Sequence, residues 1–247
     1  MDDLKSTAAI ILAGGKGTRM KIKGQKVLSE LNGKPIVSYV LERLKSVRIG
    51  QIIIVVGHRA PEVRSVLGPS YDYALQRKRL GTGHAVKVGL TAVKPGIKNV
   101  FVFNGDDSAY HTNETITEIL SGQCEKNATL SFVTVIRRDT TRLGRIIRDK
   151  NGEVVAIREE KDCSPQESEI REVNDGCYLF NCEWLQKNIK KIKKSDSGEY
   201  YITQLCSAAI DQKATVLTYT VSEDEWVNIS TTEDLERANE FIKHTSK

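Results

Sequence analysis

The sequence predicts an α/β fold: a three-layer α/β/α sandwich on a mixed, mainly parallel sheet. Three observations carry this. Short apolar runs alternate with segments of helical spacing through the first half of the chain. The runs Ala8–Ala13, Gln51–Val56 and Asn99–Phe103 are apolar almost throughout, as strands covered on both faces are. Each also ends in a short loop rich in Gly or Asp, at the carboxyl end where such sheets place their ligands.

In order, Ala8–Ala13 is the first strand, and Gly14, Gly15 and Gly17 turn the chain without side-chain obstruction. Pro35 suits the first turn of a helix, whose apolar face is Ile36, Val37, Val40, Leu41, Leu44 and Val47. Gln51–Val56 is the second strand, closed by Gly57-His58, and Ala85–Val93 reads as a helix stopped by Pro95-Gly96. Asn99–Phe103 and Leu130–Ile136 are the third and fourth strands. Gly144–Lys161 reads as a hairpin with a type I′ turn at Asn151-Gly152. Val173–Phe180 and Ala214–Val221 are further strands, Ile202–Ile210 a helix, and Ser230-Thr231-Thr232-Glu233 a capping box opening the last helix. Right-handed crossovers then bring the glycine loop and the Asp106-Asp107 loop to one crevice.

With 247 residues, 39% hydrophobic and 28% charged, the chain is long enough for one substantial core. The net charge of +5 suits nucleic-acid binding or a cavity for anionic phosphates. Lys187–Lys194 lacks interleaved aromatics and reads as a solvated helix face, so no nucleic-acid partner is expected. The five cysteines form no CxxC pair or Cys/His cluster; they are expected to be reduced thiols, in a cytoplasmic protein without a zinc site. The N-terminal apolar run is too short for a signal peptide or a membrane span, so no membrane partner is expected.

Several segments admit a chemical role beside a plain one. Gly14–Gly17, with Lys16, Arg19 and Lys26 nearby, fits a polyphosphate cradle as well as a turn among surface cations, and it matches neither the P-loop nor the complete dinucleotide fingerprint. Asp106 suits a Mg²⁺ ligand or a helix cap. In Gln76–Ala85 the Gln76 amide is able to read a base edge, while His84 reads as structural. Glu159, Glu160 and Asn174 suit sugar hydroxyls or a solvated strand end, and Gly198–Tyr201 either a sugar-contacting loop or a turn. Asn228 suits a second cation ligand or local turn formation.

The order and spacing of these pieces resemble the sugar-phosphate nucleotidylyltransferases, closest to the uridylyltransferase domain of the N-acetylglucosamine-1-phosphate uridylyltransferases. The residues carrying the resemblance are LAGGKGTRM with Lys26-Val27-Leu28, Gln76 with LGTGHAV, Gly105-Asp106, Leu143–Ile146, Glu159 in EEKD, Glu172–Asn174, GEYYIT and Asn228. They span residue 8 to about 235. The resemblance implies a Rossmann-like fold of the nucleotide-diphospho-sugar transferase type, as a single domain over 1–247. Its nucleotide part would be about 1–140, and its sugar part with the C-terminal helix about 141–247.

It further implies that UTP and a sugar 1-phosphate, N-acetylglucosamine 1-phosphate first, give UDP-sugar and pyrophosphate with Mg²⁺. Leu12, Ala13, Gly14, Gly15, Gln76, Gly81 and Thr82 would hold the nucleotide, and Arg19 and Lys26 the phosphates. Asp106 and Asn228 would hold the metal, and Gly144, Glu159 and Asn174 the sugar. The alternatives are a dTTP- or CTP-using relative and a catalytically silent nucleotide-sugar sensor; the joint presence of Arg19, Lys26, Asp106 and Asn228 argues against the sensor. The sequence departs from the family at Gln25 for proline, at Asn104 and Leu143 for aromatics, and at Asp107-Ser108 for Val-Pro. No hexapeptide repeat is present, so acetyl-CoA chemistry is not expected of this chain.

Overall fold

A computed structural model of the protein describes residues 2–17, 20, 24–106, 111–196, 198–223, 229 and 231–245. In chain order the elements are α1 (Asp2–Lys5), β1 (Thr7–Ala13), β2 (Glu30–Leu31), β3 (Lys34–Pro35), α2 (Ile36–Ser46), β4 (Gln51–Val56), α3 (Ala60–Leu67), β5 (Asp72–Leu75), α4 (Thr82–Gly89) and β6 (Asn99–Asn104). There follow α5 (Asn113–Glu125), β7 (Leu130–Ile136), β8 (Arg145–Arg148), β9 (Val154–Arg158), α6 (Pro165–Ser168), β10 (Glu172–Asn181), α7 (Cys182–Asn188), α8 (Thr203–Asp211), β11 (Val216–Val221) and α9 (Thr232–Thr245).

The main sheet runs β11-β7-β10-β6-β1-β4-β5. β1 lies between β4 and β6, parallel to both, and β5 continues the parallel set beside β4. β10 is antiparallel to β6 and β7, while β11 is parallel to β7. The sheet is therefore mixed and mostly parallel. The hairpin β8–β9 joins it through β10.

Each face of the sheet is sealed by helices, the arrangement that near-continuous apolar strands require. On one side Ile11, Ile54, Phe101 and Phe103 pack against Val40 and Leu44 of α2, Val63 of α3 and Ile119 of α5. On the other, Ile10, Val55, Val102 and Phe132 meet Val86 of α4, Leu185 of α7 and Leu205 of α8. Ile229 and, from α9, Ala238 close on Met20 and Leu31.

Three local readings are corrected. The turn joining β8 and β9 is not type I′. That turn needs positive φ at both central residues, whereas here Gly152 has φ +84° and Asn151 is not left-handed. Asp149 instead organises a longer loop, its carboxylate accepting from the amides of Asn151 (2.8 Å) and Glu153 (3.0 Å). The last helix is capped one residue later than expected: Thr231 Oγ1 accepts from Asp234 N (3.1 Å) and Thr231 N donates to Asp234 (2.8 Å). Finally, α4 starts at Thr82 rather than Ala85, because Gly81 with φ +95° provides the break that starts it.

Candidate active site

The loops after β1, β5 and β6 open on a cavity of about 780 Å³. Its first wall is the glycine loop. A Cβ on Gly14 would lie 2.9 Å from Gln76 Oε1, and one on Gly17 (φ +59°) would meet Lys26 Cβ at 2.7 Å, so neither position admits a side chain without displacement. Gln25, 1% exposed, fastens this loop. Its Nε2 donates to the carbonyls of Ala13 (3.1 Å) and His58 (2.8 Å), while its Oε1 accepts from Lys26 N (2.9 Å). Gly14 O accepts from His58 N (3.1 Å), which ties the ends of β1 and β4 together.

The second wall is the stretch from Gln76 to Ala85. Gln76 is 5% exposed, and its Nε2 donates to Gly81 O (3.2 Å) and lies 3.0 Å from His84 Nδ1. Burial, and then the nearby Lys87 charge, hold the His84 imidazole below its ordinary pKa. The segment is braced by GEYYIT: Tyr200 N donates to Leu80 O (2.8 Å), Gly83 N to Tyr200 O (2.8 Å) and Ile202 N to Thr82 Oγ1 (3.0 Å). GEYYIT thus buttresses this wall, and Glu199 and Tyr201 line the cavity themselves.

At the end of β6, Asn104 and Asp106 form the third wall. Asp106 pairs with Lys26 across the cavity, with side chains 23% and 10% exposed. The cap of α5 is Thr112, whose Oγ1 accepts from Thr115 N (3.1 Å), so Asp106 is not spent on capping. Its carboxylate is a hard oxygen donor at the cavity, which suits a divalent cation of the hard class, one that takes one or two carboxylates and completes its shell with phosphate and water oxygens. Among the described residues no group of three or more His, Cys, Asp and Glu gathers as an all-protein metal cage.

Of the sequence-predicted residues, Leu12, Gly14, Gly15, Lys26, Gln76, Gly81, Thr82 and Asp106 line this one cavity. Ala13 is 1% exposed and not among its lining residues; its carbonyl is taken by Gln25. Gly144, Glu159 and Asn174 line no part of it. Gly144 and Asn174 do come together, since Asn174 N donates to Gly144 O (2.8 Å), and Glu159 accepts from Thr203 Oγ1 (3.2 Å). Asn174 Nδ2 donates to Tyr178 OH (2.6 Å), leaving its buried Oδ1 without a hydrogen-bond partner among the described residues. Arg19 and Asn228 lie outside the described residues.

Lys16, read from the sequence as a cation beside the glycine loop, lines the cavity too, whereas sequence reasoning missed Gln25 and Asn104 as part of the site, together with the basic triplet Arg77-Lys78-Arg79 beside Gln76. The triplet was legible as three cations ahead of a glycine-opened helix. Gln25 was not, because its partners lie on β1 and on the loop after β4.

A family model described as nucleotidyl transferase matches residues 8–245. Relatives include the Bifunctional protein GlmU of Exiguobacterium sibiricum, 38% identical over 88% of this chain and 48% of that protein. The protein of the same name from Bacillus subtilis is 35% identical over 95% of this chain and 52% of its own length. The chain thus spans about half the length of the curated relatives it matches. A Bacillus anthracis protein described as a glucose-1-phosphate thymidylyltransferase, solved in complex with sucrose, superposes with a TM-score of 0.80 over 95% of this chain and 94% of its own. At 23% identity that likeness speaks for the fold. No described helix is long and apolar enough to cross a membrane. With a glycine loop, an amide-bearing wall and a carboxylate–lysine pair around one cavity, and a family match over nearly its whole length, the chain belongs to the nucleotidyl transferase family.

Proposed function

We propose that the protein joins UTP and a sugar 1-phosphate, with N-acetylglucosamine 1-phosphate as the sugar, to give UDP-sugar and pyrophosphate. The observation that carries this reading is the convergence of Gly14, Gln76, Gly81, Lys26 and Asp106 on one cavity. Gln76 and Gly81 take the uracil, and the glycine loop, with Lys26 and the proposed Arg19, takes the phosphates. A phosphate oxygen of the sugar 1-phosphate attacks the α-phosphorus of UTP. The bond from that phosphorus to the α,β-bridging oxygen breaks, and pyrophosphate leaves with the electron pair.

The attacking oxygen is already anionic at neutral pH, so the step requires no side-chain base. Its obstacle is repulsion between two anions, which Lys26 and the loop amides offset while aligning the reactants. Mg²⁺, when bound through Asp106 and the proposed Asn228, supplies further charge neutralisation at the phosphates. Gly144, Glu159 and Asn174 hold the sugar in this reading, which rests on their match to the uridylyltransferase motifs.

The test is a matrix of the four NTPs and dTTP against several sugar 1-phosphates with Mg²⁺, read as pyrophosphate release. Turnover with UTP and N-acetylglucosamine 1-phosphate is expected. A clear preference for dTTP would move the assignment to a thymidylyltransferase, and no turnover with any pair would sink the enzymatic reading. Asp106→Ala is expected to lower kcat by about 100-fold or more with unchanged circular dichroism, and Lys26→Ala to lower kcat more than it raises KM. Near-normal rates in either variant would remove that residue from the mechanism.

A further inference from the structure

Gln76 is 5% exposed and borders the cavity. A glutamine amide presents one acceptor and two donor hydrogens, and which end faces a ligand depends on its neighbours. Here the neighbours leave no freedom. Gly81 O is a carbonyl, able only to accept, and it stands 3.2 Å from one end of the amide, so that end is the NH₂. The other NH₂ hydrogen is directed at His84 Nδ1, 3.0 Å away. A donor there requires Nδ1 to be unprotonated, with the imidazole hydrogen on Nε2. Both donor hydrogens of Gln76 are therefore engaged inside the wall. Its Oε1 stands over Gly14 and has no hydrogen-bond partner among the described residues.

We propose that His84 is a positioning residue for base selection: by accepting from Gln76 Nε2 it locks the amide with Oε1 toward the cavity, which admits pyrimidines carrying an N3–H and rejects cytosine. This deepens the uridylyltransferase reading and rests on it for the place of the base. Uracil and thymine donate from N3, so each satisfies a buried acceptor. Cytosine N3 is itself an acceptor and sets one lone pair against another, the arrangement that costs most where water is excluded. Glycine at position 14 serves the same end, because a side chain there would meet Oε1. The depressed pKa of His84, caused first by burial and then by Lys87, favours the neutral imidazole that the lock requires.

The experiment compares UTP with CTP on the wild type, His84→Leu and His84→Asn, by kcat/KM and by calorimetric binding, and adds 3-methyl-UTP on the wild type. The wild type is expected to favour UTP over CTP by about 100-fold and to reject 3-methyl-UTP about as strongly. His84→Leu should bring the UTP/CTP ratio to about tenfold or less. His84→Asn, whose Oδ1 stands in for Nδ1, should restore it. A merely structural histidine would weaken both nucleotides together and leave the ratio unchanged; that result overturns the proposal. So does a wild type that binds UTP and 3-methyl-UTP alike, a comparison that needs no variant to fold. If the wild type turns over no nucleotide yet binds UTP over CTP in a His84-dependent way, the base selection stands and the reaction assignment falls.

Discussion

Gln25 shows how much one side chain contributes to this site. It stands where the resemblance to the uridylyltransferase motifs implies a proline, and its amide bridges the end of β1 to the loop after β4 while capping the turn that carries Lys26. Replacing it with alanine would strand the Ala13 and His58 carbonyls and the Lys26 amide in a nearly water-free position. We expect Gln25→Ala to destabilise the protein by about 1–3 kcal/mol in urea unfolding and to raise KM for the nucleotide, because the glycine loop loses its anchor. A stability change within about 0.5 kcal/mol would mean that water replaces the amide and that the loop holds without it. The same residue marks a limit of reading in one dimension. As a departure from the proline pattern Gln25 was visible, but its partners, 12 and 33 positions away, were not.

At the scale of elements, the hairpin β8–β9 is attached to the main sheet by little backbone pairing, with Val173 opposite Arg145. Arg148 adds a side-chain tie. Its Nε and Nη2 donate to Glu172 of β10 at 2.8 and 2.6 Å, and Nη2 also donates to Thr218 of β11 at 3.1 Å. Burial alone would raise the Glu172 pKa. Hydrogen bonds from Arg148 and Thr134, together with the Arg148 charge, outweigh it and hold the carboxyl below its ordinary value. The folded-state pKa is thus lower than the unfolded one. The pair's contribution is complete above the unfolded value and is lost as pH falls through the folded one. Glu172→Gln is expected to cost about 1.5–3 kcal/mol at pH 7 and progressively less below about pH 4.5. A cost that stays constant from pH 7 to pH 3 would show that the ion pair does not set it. The pairing of these strands was half legible: both runs read as strands in the sequence, but nothing local to Arg148 names Glu172 as its partner.

Among the described residues the main sheet separates two large cores, beside a smaller cluster around Met20 and Leu31, and the buried cysteines are distributed over the two large ones. Cys177 lies in the core under α2, α3 and α5, and Cys182 and Cys206 in the core under α4, α7 and α8. Burial pushes the thiol pKa up at all three, and also at Cys124 and Cys163, which are partly exposed. Since the thiolate is the reactive form, an Ellman titration of the native protein is expected to label Cys124 and Cys163 slowly and the other three only on unfolding. Fast native labelling of Cys177 or Cys206 would contradict the packing of these cores. The sequence by itself determined the strand–helix alternation, the parallel centre of the sheet and the glycine loop, because burial on both faces writes itself into local periodicity. Tertiary structure alone decided that Gln25 fastens that loop, that His84 holds Gln76, and that Tyr200 braces Leu80. Each of these joins residues that no sequence period connects; the turn at Gly81 sets the distance from Gln76 to His84, and the return of the chain to the sheet sets the other two.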